Sequence, residues 1–153
     1  MALRGDRHEQ TTDITFFMAV AQERGVIVVH STTGSGSALD QSDALVAVPT
    51  GQAPSTTTPA GLLLNDVVNL DLTRQHLNQH KDEVQINSKV RIGRRGWWVT
   101  DQISGAPVAG STSYYTSLGL LTPTDPGSCP KVGRFLSKKD NDGFAKVDIN
   151  ITG

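Results

Sequence analysis

Every apolar run in this chain is short. Val, Ile, Phe and Trp recur in stretches such as Gly25–His30 (GVIVVH), Ala44–Pro49 (ALVAVP) and Val84–Ile92 (VQINSKVRI), separated by clusters of Gly, Pro, Asn, Asp, Ser and Thr. A buried helix needs a 3.6-residue apolar period held over about ten residues or more, whereas a strand needs only a few residues and favours branched and aromatic side chains. The pattern therefore predicts a mostly β protein: a compact antiparallel β-sandwich or barrel-like domain with long loops and at most one short helix. A chain of 153 residues with 37% hydrophobic content suits one ordinary domain that buries roughly two-thirds of its unfolded surface. The expected organisation is an extended N-terminal arm over residues 1–12 and a single β-rich domain over residues 13–153.

Along the chain, Ile14, Phe16, Met18 and Val20 alternate with Thr15, Phe17, Ala19 and Ala21, as in a strand buried on one face. GVIVVH is continuously apolar up to His30 and reads as an interior strand. Ser31–Asp40 is turn material, and Thr50–Gly61 reads as an extended loop. Leu62–Leu72 reads as a strand broken near Asn65–Asp66. Thr73–Glu83 is the most polar segment and fits a short surface helix or an ordered loop. Val84, Ile86, Ser88, Val90 and Ile92 share one strand face, Gly93–Gly96 (GRRG) is expected to turn, and Trp97–Ile103 is expected to return as the antiparallel partner. One more short strand is expected around Tyr114–Leu121.

The acidic stretch near the C-terminus, Asp140-Asn141-Asp142-Gly143, raises the question of calcium. A helix–loop–helix calcium site places a bidentate Glu at its twelfth loop position. Counting from Asp140 that position is Ile151, in an alternating run where Val147, Ile149 and Ile151 face away from Lys146, Asp148 and Asn150. The stretch is read as the turn of a closing hairpin.

Composition also bounds the partners. A formal net charge of −1, with its Lys and Arg scattered, provides no electrostatic footprint for nucleic acid or an anionic membrane. The N-terminus lacks the apolar middle of a signal peptide and no segment approaches a membrane span, so the protein is expected to be soluble and made without export. Cys129 is the only cysteine and has no local feature that would activate it as a nucleophile. His76 and His80 have a spacing that would place two imidazoles on one helix face, but no Glu stands beside His76 for a zinc-protease base. Ser31–Ser37 (STTGSGS) is Gly-rich yet lacks the Gly-Lys-Ser/Thr ending of a phosphate loop. Arg4-Gly5-Asp6 matches an integrin-binding tripeptide too short to carry weight. Neither a catalytic set nor a metal or cofactor site is expected. Trp97–Trp98 beside Arg94–Arg95 suggests a binding surface, with one indole turned inward and the other outward because neighbours on a strand point to opposite faces.

Taken in order, the N-terminal strand, Pro59–Thr73 (PAGLLLNDVVNLDLT), Val84–Thr100 (VQINSKVRIGRRGWWVT) and Lys131–Ile151 (KVGRFLSKKDNDGFAKVDINI) resemble the head decoration, or capsid cement, proteins of tailed bacteriophages. Those proteins carry a small residue, a Gly, an apolar run and Asp-Val at mid-chain, and an acidic turn before a final alternating strand. The likeness covers most of the chain from Asp13 onward; the polar arm and Thr73–Glu83 have no counterpart in it.

The resemblance implies a structural virion protein made in the bacterial host cytoplasm. It would bind the outer surface of the assembled capsid, bridge major capsid protein subunits as a homotrimer or homodimer, and stabilise the expanded head against internal DNA pressure. The contacts expected are Arg4, Asp6 and Arg7 of the arm, and Arg94, Arg95 and Trp98 at the tip of the expected hairpin. A different class of function, a carbohydrate- or receptor-binding β-module of a virion, would use Trp97 or Trp98 and Tyr114–Tyr115 as stacking surfaces. An enzyme would have to draw on His76, His80 and Asp82 or Glu83 around a metal.

Overall fold

The computed structural model describes residues 10–31, 45–47, 52–66, 83–86 and 88–151. Its strands are β1 (Thr11–Met18), β2 (Gln22–Glu23), β3 (Ile27–His30), β4 (Leu45–Ala47), β5 (Pro59–Asp66), β6 (Glu83–Val84), β7 (Lys89–Thr100), β8 (Thr112–Tyr115), β9 (Leu121–Thr122), β10 (Gly133–Phe135) and β11 (Ala145–Asn150). The described residues contain one helical element, the 3-10 turn Pro54–Thr56.

The domain is mostly β and barrel-like. Strand β1 pairs with β4, β4 with β3, β3 with β5, β5 with β7, and β7 back with β1, which closes a ring. All of these pairs are antiparallel except β1–β4. The second half of β7 leaves the ring and carries β11, β10, β8 and β9 in that order. A parallel bridge from Leu121 to Ile103, just after β7, curls this second sheet back towards its start.

Strands β3 and β5 form the wall between two cores. Val28 and Leu63 point into the ring with Met18, Val90 and Ile92. Ile27, Val29 and Leu62 point the other way, onto Tyr115, Leu121, Phe135, Val147 and Ile149. Successive side chains of a strand face opposite sides, so a strand between two cores must be apolar at every position. That is why Val26, Ile27, Val28 and Val29 are all buried, as an interior strand requires.

The closing hairpin is also as expected. Gly133↔Ile149 and Phe135↔Val147 pair across β10 and β11, and Ala145, Val147 and Ile149 face the core. Its connection is closed by the Asp140 side chain, whose Oδ1 accepts from the amides of Asp142 (3.0 Å) and Phe144 (2.8 Å). The left-handed position belongs to Gly143 (φ 90°), while Asn141 and Asp142 have ordinary backbone angles.

Several expectations are corrected. Gly93–Gly96 is not a turn: β7 runs unbroken for 12 residues from Lys89 to Thr100. Trp97–Ile103 therefore does not fold back on Val84–Ile92. The first half of β7 pairs with β1 and β5, and the second half with β11. Its glycines make room instead of reversing the chain, since a Cβ at Gly93 would lie 2.6 Å from Trp98 Cη2.

The shared face proposed for Val84–Ile92 breaks at Ile86, which is exposed, because a turn closed by Ser88 N to Gln85 O (3.2 Å) separates β6 from β7. Ile14 is likewise exposed while Met18 is buried, because β1 changes register between Asp13 and Phe16, and Val20 is exposed because β1 ends at Met18. The stretch Tyr114–Leu121 is not one strand but the end of β8, a turn and the start of β9. Pro59–Gly61 belongs to β5 and not to the preceding loop. The expected helix or loop over Thr73–Glu83 lies outside the described residues, except Glu83 in β6.

Tyr115 anchors the Pro54–Thr57 segment to the second core. Its side chain is buried, and its hydroxyl lies 3.0 Å from Thr57 Oγ1, within reach of the carbonyl oxygens of Thr57 (3.2 Å) and Pro54 (3.3 Å). Burial pushes its pKa up, so the hydroxyl stays a neutral donor. Tyr115→Phe is expected to cost about 1 kcal/mol, the net worth of one such bond. A urea midpoint shift at unchanged m-value would measure it, and no shift would show that the hydroxyl stabilises nothing.

Candidate docking surface

The site is built on the middle of β7. Thr11, at the start of β1, pairs with Arg95, and the Gln10 side chain stands 3.0 Å from where a Cβ on Gly96 would sit. From the other edge, Asn150 pairs with Arg95 and the Ile151 amide donates to the Arg94 carbonyl at 2.9 Å. The first and last described segments of the domain therefore meet at Arg94–Arg95.

Arg95 is exposed and Arg94 half-buried, on opposite faces of the strand. Near Arg94 lie Asp13 of β1 and His30 of β3. His30 is held below its ordinary pKa, first by burial and then by the Arg94 charge, with Asp13 acting in the opposite sense. Its ring meets Phe16 edge-on at a centroid distance of 5.4 Å. The Arg94 end of the site thus combines a cation, a carboxylate and a neutral imidazole drawn from three strands.

The two tryptophans divide as alternation demands, and Trp97 is the outward one. Trp97 is 40% exposed and stands beneath Lys146, whose Nζ is 3.6 Å from the ring centroid. Trp98 is half-buried, with its six-membered ring seated on Gly93 and its edge against the second core. The expected contact at Trp98 is thus partly consumed by packing.

The outer face of the second sheet continues from Trp97 through Val99 on β7 and Lys146 and Asp148 on β11 to Arg134 on β10. Phe144 and Leu136 add exposed apolar area beside it. Register makes this row: Trp97 lies opposite Asp148, and Asp148 opposite Arg134. It is invisible in the sequence, where the three residues are far apart.

Arg4, Asp6, Arg7, His8, His76 and His80 lie outside the described residues. Among the described residues no group of three or more His, Cys, Asp or Glu converges as a metal site. Cys129 is buried, donates weakly to the Tyr115 carbonyl (3.5 Å), and has its thiol pKa pushed up by burial. Of the stacking candidates, Tyr115 is inside the core and Tyr114 packs against it. No helix among the described residues is long and apolar enough to cross a membrane. No protein-family model matches the chain, and no curated protein matches it.

Proposed function

We propose that this protein is a capsid decoration protein with a structural and not a catalytic role. It binds the outer surface of an assembled phage head and bridges neighbouring major capsid protein subunits as a homotrimer or homodimer. It acts without cofactor, nucleic acid or membrane.

The observation that supports this reading is the meeting of the root of the N-terminal segment with Arg94–Arg95 at one place on the body. Two contact elements that composition nominated separately would then act as one footprint. A rigid β-domain with adjacent cationic and aromatic anchors suits a mechanical partner. A specific contact of ~1,200–2,000 Å² stabilises only the shell state that presents the composite site.

The test is cosedimentation with purified, undecorated heads in expanded and precursor form. Saturable binding to the expanded form alone is expected, with occupancy at limiting protein falling at least about tenfold, or ~1.4 kcal/mol, in a chain lacking residues 1–9 and in Arg94→Ala/Arg95→Ala. The truncation stops at residue 9 because Thr11 already belongs to β1. Absence of binding to either form by the unaltered chain would remove the decoration role.

A further inference from the structure

Between β5 and the second half of β7 lies an open groove of about 500 Å³, within the ~300–1,000 Å³ typical of ligand sites. We infer that it receives an arginine side chain presented by an extended segment of a partner protein. Its walls are apolar and aromatic: Leu64, Trp98, Val99 and Phe144. Its polar end is built by Gln102, whose Nε2 donates both to Glu23 Oε2 (3.1 Å) and to Asp101 Oδ1 (3.0 Å).

That bridge holds two carboxylates, from β2 and from the end of β7, on one neutral amide. Like charges so placed repel, and a cation between them relieves the repulsion. Among the described residues of the rim Arg24 is the one cation, against the carboxylates of Glu23 and Asp101.

Charge complementarity therefore selects a basic ligand, and the walls select its shape. An arginine stem can lie along Leu64 and Phe144, and its planar guanidinium can stack on Trp98 while its N–H fork reaches both carboxylates. Packing shapes the groove beneath it: Trp98 is seated on Gly93, and Thr100 Oγ1 donates to the Gly25 carbonyl at 3.2 Å. The groove reaches the outer face at Val99 and Phe144, while Trp97 and Lys146 are not among its lining residues.

Naming a capsid subunit as the owner of that arginine rests on the decoration reading; the preference of the groove for a guanidinium does not. The experiment has two arms. In the first, the ¹⁵N-labelled full chain is titrated with acetyl-Ala-Leu-Arg-Ala-amide and with the same peptide carrying neutral citrulline. The arginine peptide is expected to shift the Trp98 indole N–H and the Gln102 and Gly25 amides saturably, at least about tenfold more tightly than the citrulline peptide. Glu23→Gln/Asp101→Asn, at exposed positions and checked for an unchanged spectral dispersion, is expected to erase the difference. Equal response to both peptides, or shifts confined to Trp97, would overturn the assignment. So would binding seen only after residues 1–9 are removed, since the occupant would then be this chain itself.

In the second arm the same double variant is put on expanded heads, where occupancy is expected to fall. If the variant loses the peptide but keeps full occupancy on heads, the capsid arginine is wrong while decoration stands. If the unaltered chain ignores heads yet prefers the arginine peptide, decoration is wrong while the groove chemistry stands.

Discussion

Gly133→Ala is expected to destabilise this protein by about 3 kcal/mol or more, beyond the usual ~1–3 kcal/mol of an overpacked site. Gly133 opens β10, the strand between β8 and β11, and pairs with Ser113 on one side and Ile149 on the other. A Cβ there would collide with the Asp148 carbonyl oxygen and lie 3.0 Å from the Ile149 Cα. Those are backbone atoms held in the β10–β11 ladder, so no side-chain rotation relieves the overlap and the hairpin must part. The second core would open with it, because Phe135, Val147 and Ile149 are carried by those two strands.

Gly93→Ala is a useful contrast, since its added methyl would meet the ring of Trp98 and not backbone, and a side chain on the rim of a groove can swing away. Urea unfolding of the two variants would separate the cases. A Gly133→Ala midpoint within error of the parent would show that the hairpin register is not the one described.

That contrast also explains what the sequence could and could not disclose. The β class, the interior strand at Gly25–His30 and the closing hairpin were readable because each rests on local composition and alternation. The course of β7 was not. Glycines mark turns and close approaches with the same letter, and Gly93 serves an approach by a ring five residues onward in the chain. A strand that changes partner halfway, from β5 to β11, leaves no local signature either, because both halves simply alternate.

The docking surface was legible in its parts and not in its assembly. Arg94 and Arg95 stand out as adjacent cations, but their neighbours Thr11 and Asn150 reach them only through non-local pairing. Alternation required that one tryptophan face inward, yet which one depends on register, and a one-residue shift exchanges them. The Glu23–Gln102–Asp101 bridge joins Glu23 to a residue 79 positions onward in the chain, so no spacing rule would find it.

Leu62→Ala and Leu63→Ala test the two-core architecture itself. The two residues are neighbours on β5, both essentially inaccessible, yet Leu62 lies with Phe135 and Tyr115 while Leu63 lies with Met18 and Ile92. Each truncation is expected to cost about 2–5 kcal/mol, the transfer loss plus the cavity it leaves. The cavities open on opposite sides of one strand and share no lining side chains in the two clusters, so the double variant should come within about 0.5 kcal/mol of the sum. Since β3 and β5 wall both cores, loss of either should also move one common transition: circular dichroism and tryptophan fluorescence should shift together. Fluorescence reports mainly on the second sheet, where both indoles sit. Were Leu63→Ala to melt the ring while leaving the fluorescence transition in place, the wall would not couple the two halves, and the chain would be two domains sharing a strand pair.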